Sequence, residues 1–504
     1  MTGSSSASSS AVQTEYALML TKTNYEVIEA ESVMLLLTFT ANGKDADFSL
    51  LTFESDNENV ATVDAEGKVT GISVGTAKIT ATYMDKKVEA TVTVTMNPKR
   101  VVLSEDFLAL LKGTSATVTA TAYIETTEDE NAELVWTSAN PTIATVENGT
   151  ITAVSGGETT ISVAYGTATA VLKVFVAQPL TEDNVNSFDE EYINIYGRSY
   201  ISNNELNLDH AANAVEIGII GTSLWVTLNA TATSYMQVFT DNDTVGTRIR
   251  INSGTKNYTV AQNLTDGYHK IRIVKATEEQ NAIWNVVSFT ADAFATIPEK
   301  SDLKIEFIGD SLTAGYAVLG SAGAAWSVEN SDCANTYTYF AAQALNADYS
   351  TIAWSGICTK AYHWVGNLNM ETLYQRVSNA NKNQYAFDFN PDVIVLNLGS
   401  NEASYLGYGG AGYEKQFPTD YQNFLTLLRQ KNPNAYIICL LGEGTSSVIE
   451  QCIATAVNNM NDDKIVYNPF EYIANGAGGA GHPTLEAQKA WGESLAEYIK
   501  NLDL

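Results

Sequence analysis

The sequence predicts a multidomain chain: two tandem β-sandwiches, a β jelly roll, and a C-terminal three-layer α/β domain built on a parallel sheet. Three observations carry this. A residue pattern recurs roughly 80 residues apart in the first third of the chain. Short strands follow at close spacing from 188 to about 297. From 303 onward, continuous apolar strands alternate with amphipathic helices, the pattern of a parallel sheet covered on both faces. A length of 504 residues suits roughly three to four domains.

The repeat sets FESDNENVATV (53–63) against WTSANPTIATV (136–146), and GKVTGISVGTAKITA (67–81) against GTITAVSGGETTISV (149–163). Apolar and polar residues alternate between turn signals, as half-buried strands require. Gly67, Gly71 and Gly75, with Gly149, Gly156 and Gly157, stand where hairpins need positive φ. The period is too long for a solenoid and suits one sandwich over 14–97 and a second over 98–177, after a flexible lead at 1–13. The S-x-N-x-x-(I/V)-A-T-V and G-x-(I/V)-T-x-(I/V)-x-x-G stretches resemble group 2 bacterial Ig-like domains. That resemblance implies spacer or adhesive modules on exported bacterial proteins, with cell-wall or glycan contact as an expectation.

After the polar linker AQPLTEDNVNS (177–187), strands are expected at 214–221, 223–231, 235–242, 247–254, 269–276 and 284–294, a jelly roll within 188–300. The α/β domain at 303–504 has strands at 304–310, 349–356, 392–400, 435–442 and 464–470. Its helices are expected at 336–347, 419–431, 447–460 and 484–502. Ligands in such sheets bind outside the carboxyl ends of the strands.

Charge excludes whole classes of function. Twenty-eight basic against 58 acidic residues leave a net charge of −30. Such a surface repels phosphate, so neither nucleic acid nor an anionic membrane is an expected partner. No apolar run reaches the ~18 residues of a membrane span. With two stalk-like modules, this charge favours a monomer. Cys333, Cys358, Cys439 and Cys452 lack metal-binding spacing and read as buried thiols, with one bridge allowed. The opening MTGSSSASSS has neither the basic nor the apolar region of a secretory signal. A mature exported bacterial protein is the simplest account, and cytoplasmic residence is the literal alternative.

The strand ends carry the chemistry. The first closes in Gly309-Asp310-Ser311-Leu312, which sets a serine on a sharp turn. The second closes in Trp354-Ser355-Gly356 and the third in Gly399-Ser400-Asn401-Glu402. Acyl transfer needs donors aimed at an oxyanion, and the N–H groups of Ser311 and Gly356 with the Asn401 amide suit that task. A glycine-rich loop over 476–481 leads to His482-Pro483, which suits a general base ahead of the last helix. His210 and His269 fall in the β region, and His363 reads as a packed or pocket-wall histidine.

Ser, Gly, Asn and His in this order, each after a successive strand, resemble the SGNH hydrolases (GDSL esterases) over about 303–504. Two departures stand out. Glu402 replaces the usual aspartate of the third block. Gly479 occupies the position of the acid that usually orients the histidine, and Glu471 and Glu486 are wrongly spaced to substitute. A main-chain carbonyl from 478–480 is therefore expected to accept the Nδ1 proton. A jelly roll fused ahead of such a domain, with Tyr196-Gly197-Arg198, resembles carbohydrate esterase family 2. That resemblance implies a Ser-His dyad without an acid, and removal of acetyl groups from acetylated xylan or mannan-type polysaccharide.

The expected mechanism is double displacement. Ser311 is the nucleophile, His482 the base and acid, and no metal or organic cofactor is needed. Trp326, Trp354, Trp364 and Tyr405 are candidates to contact the sugar, beside Tyr316 and Tyr408. Two other readings stay open: an SGNH esterase of lipid or small aryl esters, and a non-catalytic glycan-binding protein.

Overall fold

The computed structural model describes residues 14–95, 99–125, 127–180, 188, 192–361, 364–441, 446–468, 478–502 and 504. It divides into two compact units, Met1–Val176 and Ala177–Leu504.

The first unit holds the two repeats, and the sequence repeat becomes a topological one. The first repeat has a four-stranded sheet in the spatial order Asn24–Ile28, Lys86–Thr95, Gly75–Tyr83, Thr52–Ser55. The second has the order Phe107–Leu111, Ala168–Ala177, Gly157–Tyr165, Val135–Ser138. Each repeat adds two three-stranded sheets in matching order. The recurring residues are the core itself: Ala61, Val69, Ile79 and Val92 fill the first, and Ala144, Ile151, Ile161 and Val174 the second. Gly67, Gly75, Gly149 and Gly157 have positive φ as expected. Gly71 and Gly156 do not, so those two are not turn glycines of that kind.

The second unit begins with an antiparallel sheet, of nine strands among the described residues, that folds over on itself into a sandwich through its longest strand. Its long strand Ala214–Ala230 joins two expected strands into one. Residues 214–220 pair with Tyr268–Lys275, and residues 224–230 with Gly254–Ala261 and Trp284–Phe294. The register breaks between Ile220 and Leu224, so a bulge lets one strand serve both halves. Ile217, Leu224, Met236, Ile271 and Trp284 fill the space between.

The α/β domain follows. Its strands are β1 (Lys304–Gly309), β2 (Asp348–Ala353), β3 (Val393–Asn397), β4 (Tyr436–Leu440) and β5 (Ile465–Tyr467). All pair in parallel, in the order β2-β1-β3-β4-β5. Alternation along the strands feeds two cores. Ile305, Phe307, Val393, Val395 and Ile438 face helices α2 (Tyr337–Ala344) and α7 (Leu485–Lys500). Ile308, Ile394, Leu396, Ile437 and Cys439 face α5 (Phe417–Lys431) and α6 (Ser447–Met460). Two short helices, α3 (Met370–Tyr374) and α4 (Ser400–Gly407), were not expected from periodicity. The first of these cores also takes in Tyr196, Ala212, Phe239 and Val274, so sandwich and α/β domain share it. All four cysteines are free and buried.

Candidate active site

Strand order reverses between β1 and β3, and in open α/β sheets the crevice above that point takes the ligand. Ser311, Gly356 and Asn401 follow β1, β2 and β3 there.

Ser311 opens α1 (Ser311–Ala314), a single turn capped by Asp310, whose Oδ1 accepts the Leu312 N–H at 3.0 Å. At this first helical position a backbone N–H has no intrahelical acceptor, so the Ser311 N–H is not used inside the turn. Asp310 is fully buried, and desolvation pushes its carboxyl up to about 7.

The Ser311 hydroxyl donates to His482 Nε2 at 2.8 Å. His482 Nδ1 lies 3.2 Å from the Ala480 carbonyl oxygen. An Nδ1–H donating to that oxygen leaves Nε2 as the acceptor that a general base must be. The Ala480 carbonyl is fixed from behind. Ala480 sits at φ 50°, ψ 27°, and its N–H donates to Ala324 O at 2.7 Å. A non-glycine residue in that region carries about 1–3 kcal/mol of strain and persists only where its surroundings impose it. The Tyr316 ring packs 4.7 Å from the imidazole. Burial holds the His482 pKa below its ordinary value, partly opposed by the Ala480 contact. Thr484 caps the last helix, accepting the Ala487 N–H at 3.2 Å.

Gly356 sits at the third position of a turn closed by Ile357 N–H to Trp354 O, with φ +86°. Such a turn demands positive φ there. A Cβ at Gly356 would stand 2.9 Å from the Trp364 Cβ, so Trp364 runs directly beside it. Asn401 Nδ2 donates to Ile357 O at 2.9 Å and to Asp310 Oδ2 at 3.3 Å. Asn401 therefore ties the residue before the serine to the residue after the glycine, and the three expected oxyanion donors lie together. Glu402 is buried and accepts the Thr359 N–H at 2.6 Å, which braces the same turn region.

The aromatic candidates separate. Trp326, 39% exposed, stacks on Tyr316 at 5.5 Å, so Trp326, Tyr316 and His482 form one file. Trp364, 57% exposed, meets Tyr408 edge-on at 5.9 Å. Tyr405 is half-buried and packs edge-on against Tyr413. Trp354 is largely buried, beside Ile308 and Ile352, and keeps 8% of its surface exposed. His210 is a core residue whose Nε2 lies 2.8 Å from Val377 O, and His269 contacts Asp241. His363, Glu471 and residues 476–477 lie outside the described residues.

Sequence reasoning missed Glu278 of the sandwich. It accepts from both the N–H and the hydroxyl of Ser355, each at 2.7 Å. No local pattern signals a contact across 77 residues of chain.

Residues 195–299 match the carbohydrate esterase 2 N-terminal family, residues 307–494 the GDSL-like lipase/acylhydrolase family, and residues 17–96 and 99–176 the group 2 bacterial Ig-like domain. A cellulase/esterase of Acetivibrio thermocellus is 28% identical over 301 residues, 57% of this chain and 36% of that protein. An acetylxylan esterase/glucomannan deacetylase of Cellvibrio japonicus is 25% identical over 42% of this chain and 64% of its own length. The chain thus spans about a third and just under two thirds of these two relatives. A family two carbohydrate esterase from Clostridium thermocellum, solved with cellohexaose, matches with a TM-score of 0.57 and 26% identity, covering 61% of this chain and 98% of that one. An acetyl xylan esterase from the rumen bacterium Butyrivibrio proteoclasticus shares the fold at TM-score 0.57 and 22% identity.

Proposed function

We propose that the unit from 177 to 504 is a family 2 carbohydrate esterase that removes O-acetyl groups from acetylated xylan or glucomannan. The observation that carries this is the Ser311–His482 contact at 2.8 Å, set beside clustered oxyanion donors at the crevice of the sheet. The family matches on both sides of the domain junction support it, as do the printed activities of the relatives.

His482 Nε2 takes the Ser311 proton as Oγ attacks the acetyl carbonyl. The oxyanion meets the N–H groups of Ser311 and Gly356 and the Asn401 amide, which exchanges its long contact with Asp310 for it. The sugar hydroxyl leaves with the proton from His482, and water then cleaves the acetyl-serine by the same route. The Ala480 carbonyl holds the imidazolium, in place of a carboxylate. Exposed Trp326 and Trp364 offer faces for pyranose rings.

Acetylated polysaccharide is too large to enter a cell, so the enzyme acts outside it, as a secreted or surface-held monomer. The Ig-like pair spaces it from, or attaches it to, a wall or glycan.

The test is acetate release from acetylated xylan and acetylated glucomannan by wild type, Ser311→Ala and His482→Ala. Release lost in both variants supports the reading. An inert wild type removes it.

A further inference from the structure

The sandwich domain reaches into the site through one loop. After its strand Tyr268–Lys275, residues 276–280 are held on several sides. Ala276 donates its N–H to Tyr235 O at 2.9 Å and accepts the Cys333 N–H at 2.9 Å. The fully buried Lys275 sends Nζ to Thr277 O at 2.6 Å and to Asp209 O at 2.8 Å. Glu279 accepts the N–H groups of Asn379 and Ala380 at 3.1 and 2.6 Å. A loop fixed in this way has little freedom.

From it, Glu278 Oε2 accepts the Ser355 N–H and Oε1 meets the Ser355 hydroxyl, both at 2.7 Å. Gln280 Nε2 approaches Ser355 O at 3.4 Å. The polar groups of Ser355 are thus all met from the other domain, and both partners are buried. Ser355 immediately precedes Gly356, so whatever holds the Ser355 backbone sets the direction of the next N–H. A buried carboxylate with two charge-assisted bonds is a stiff tether, and donors to an oxyanion act only when preorganised at about 2.7–3.1 Å.

We propose that Glu278 is a positioning residue for the deacylation chemistry: from the sandwich domain it fixes the Ser355-Gly356 turn and thereby aims the Gly356 N–H at the oxyanion. The inference rests on the esterase reading. It also gives the sandwich a task in the chemistry itself, because Asn401 and Glu402 of the α/β domain reach Ile357 and Thr359, while the side chains that reach Ser355 come from the sandwich.

The experiment uses the full chain, with 4-nitrophenyl acetate and acetylated xylan. Glu278→Gln keeps the shape but cannot accept at both positions, Glu278→Ala removes both acceptors, and Ser355→Ala deletes only the hydroxyl contact. Expected is a fall in kcat of about 10- to 100-fold for Glu278→Ala, an intermediate fall for Glu278→Gln and a few-fold fall for Ser355→Ala. KM for the small ester should hold within about twofold, because the tether acts in the transition state. The double variant Glu278→Ala/Ser355→Ala should be no worse than Glu278→Ala alone, since the hydroxyl has then lost its partner. Ser355→Ala and Glu278→Gln keep the question answerable if Glu278→Ala fails to fold. An active wild type with unchanged kcat in Glu278→Gln and Ser355→Ala overturns the inference and leaves the dyad standing. Losses that follow melting temperature, or fall on KM, also overturn it. An inert wild type overturns the esterase reading and this inference together.

Discussion

His482 Nδ1 lies 3.2 Å from the carbonyl oxygen of Ala480, two residues earlier in the same loop. The contact occupies the place of an orienting acid, and the packing shows why no acid stands there. A Cβ on Gly479 would lie 2.7 Å from Ala317 O, 3.0 Å from the Ala317 Cβ and 3.0 Å from the Gly320 Cα. Two of these three atoms are backbone and cannot swing aside.

Installing the missing aspartate should therefore harm the enzyme. Gly479→Asp and Gly479→Ala are both expected to lower kcat/KM by at least about 10-fold, because the loop carrying Ala480 and His482 must move, and a 1 Å misplacement alone can cost about 100-fold. Steady-state kinetics on 4-nitrophenyl acetate decides it. Faster turnover in Gly479→Asp would mean that the loop accommodates the side chain and that a carbonyl is the poorer orienter.

The pH profile follows from the imidazole's surroundings. Desolvation disfavours the charged ring, so the His482 pKa stands below 6.5. The base is active when neutral, so kcat/KM should rise with pH through an inflection below 6.5. Asp310, whose buried carboxyl is pushed up to about 7, should add a separate inflection there. A profile with no inflection below 6.5 would show a solvated ring in the free enzyme. The same depression means that the unfolded chain binds more protons than the folded one between the two pKa values. This histidine's contribution to stability is accordingly lost as pH falls through that window.

Ser311, Gly356, Asn401 and His482 were legible in the sequence because each follows its own strand, and strand ends of a parallel sheet share one edge. The five strands were legible as continuous apolar runs, and the repeat as recurring core alanines and branched residues at Ala61 and Ala144 and their neighbours. The burial of Trp354 was not legible, because a tryptophan at a strand end can turn inward or outward, and only packing against Ile308 and Ile352 decides that. The joined strand Ala214–Ala230 was cut in two because a bulge interrupts alternation as a turn does. Glu278 was invisible because its meaning lies in another domain.

The oxyanion donors should separate by mechanism. Asn401→Ala removes a side-chain donor and should cost about 100- to 1,000-fold in kcat. Gly356→Ala adds a Cβ at φ +86° and 2.9 Å from the Trp364 Cβ, so it should lower both kcat and thermal stability. Kinetics paired with thermal melts distinguish the two patterns. Asn401→Ala with near-normal kcat would remove the amide from the oxyanion site.

Trp326 should matter only for extended substrates. It stacks on Tyr316 rather than on the imidazole itself and keeps 39% of its surface exposed. Trp326→Ala should raise KM for acetylated xylan several-fold, since an aromatic face is worth about 0.5–1.5 kcal/mol, and leave kcat on 4-nitrophenyl acetate within about twofold. An equal loss on both substrates would show that Trp326 acts through Tyr316 on His482.

Arg198 joins sandwich and sheet through a buried charge. Its Nη2 lies 3.2 Å from Glu306 Oε1 on β1, its Nη1 donates to Tyr374 O at 2.6 Å and Arg376 O at 2.9 Å, and its plane lies 3.8 Å over the Tyr385 ring. Both charged side chains are almost wholly buried. A buried pair is weak evidence of net stabilisation, yet removing one member strands the other and costs about 3–5 kcal/mol. Arg198→Met should therefore destabilise the C-terminal unit by that amount in urea denaturation. Arg198→Met with Glu306→Gln should recover part of the loss, because no charge is then left unpaired. A loss below about 1 kcal/mol in the single variant would mean that water reaches Glu306 once the guanidinium is gone.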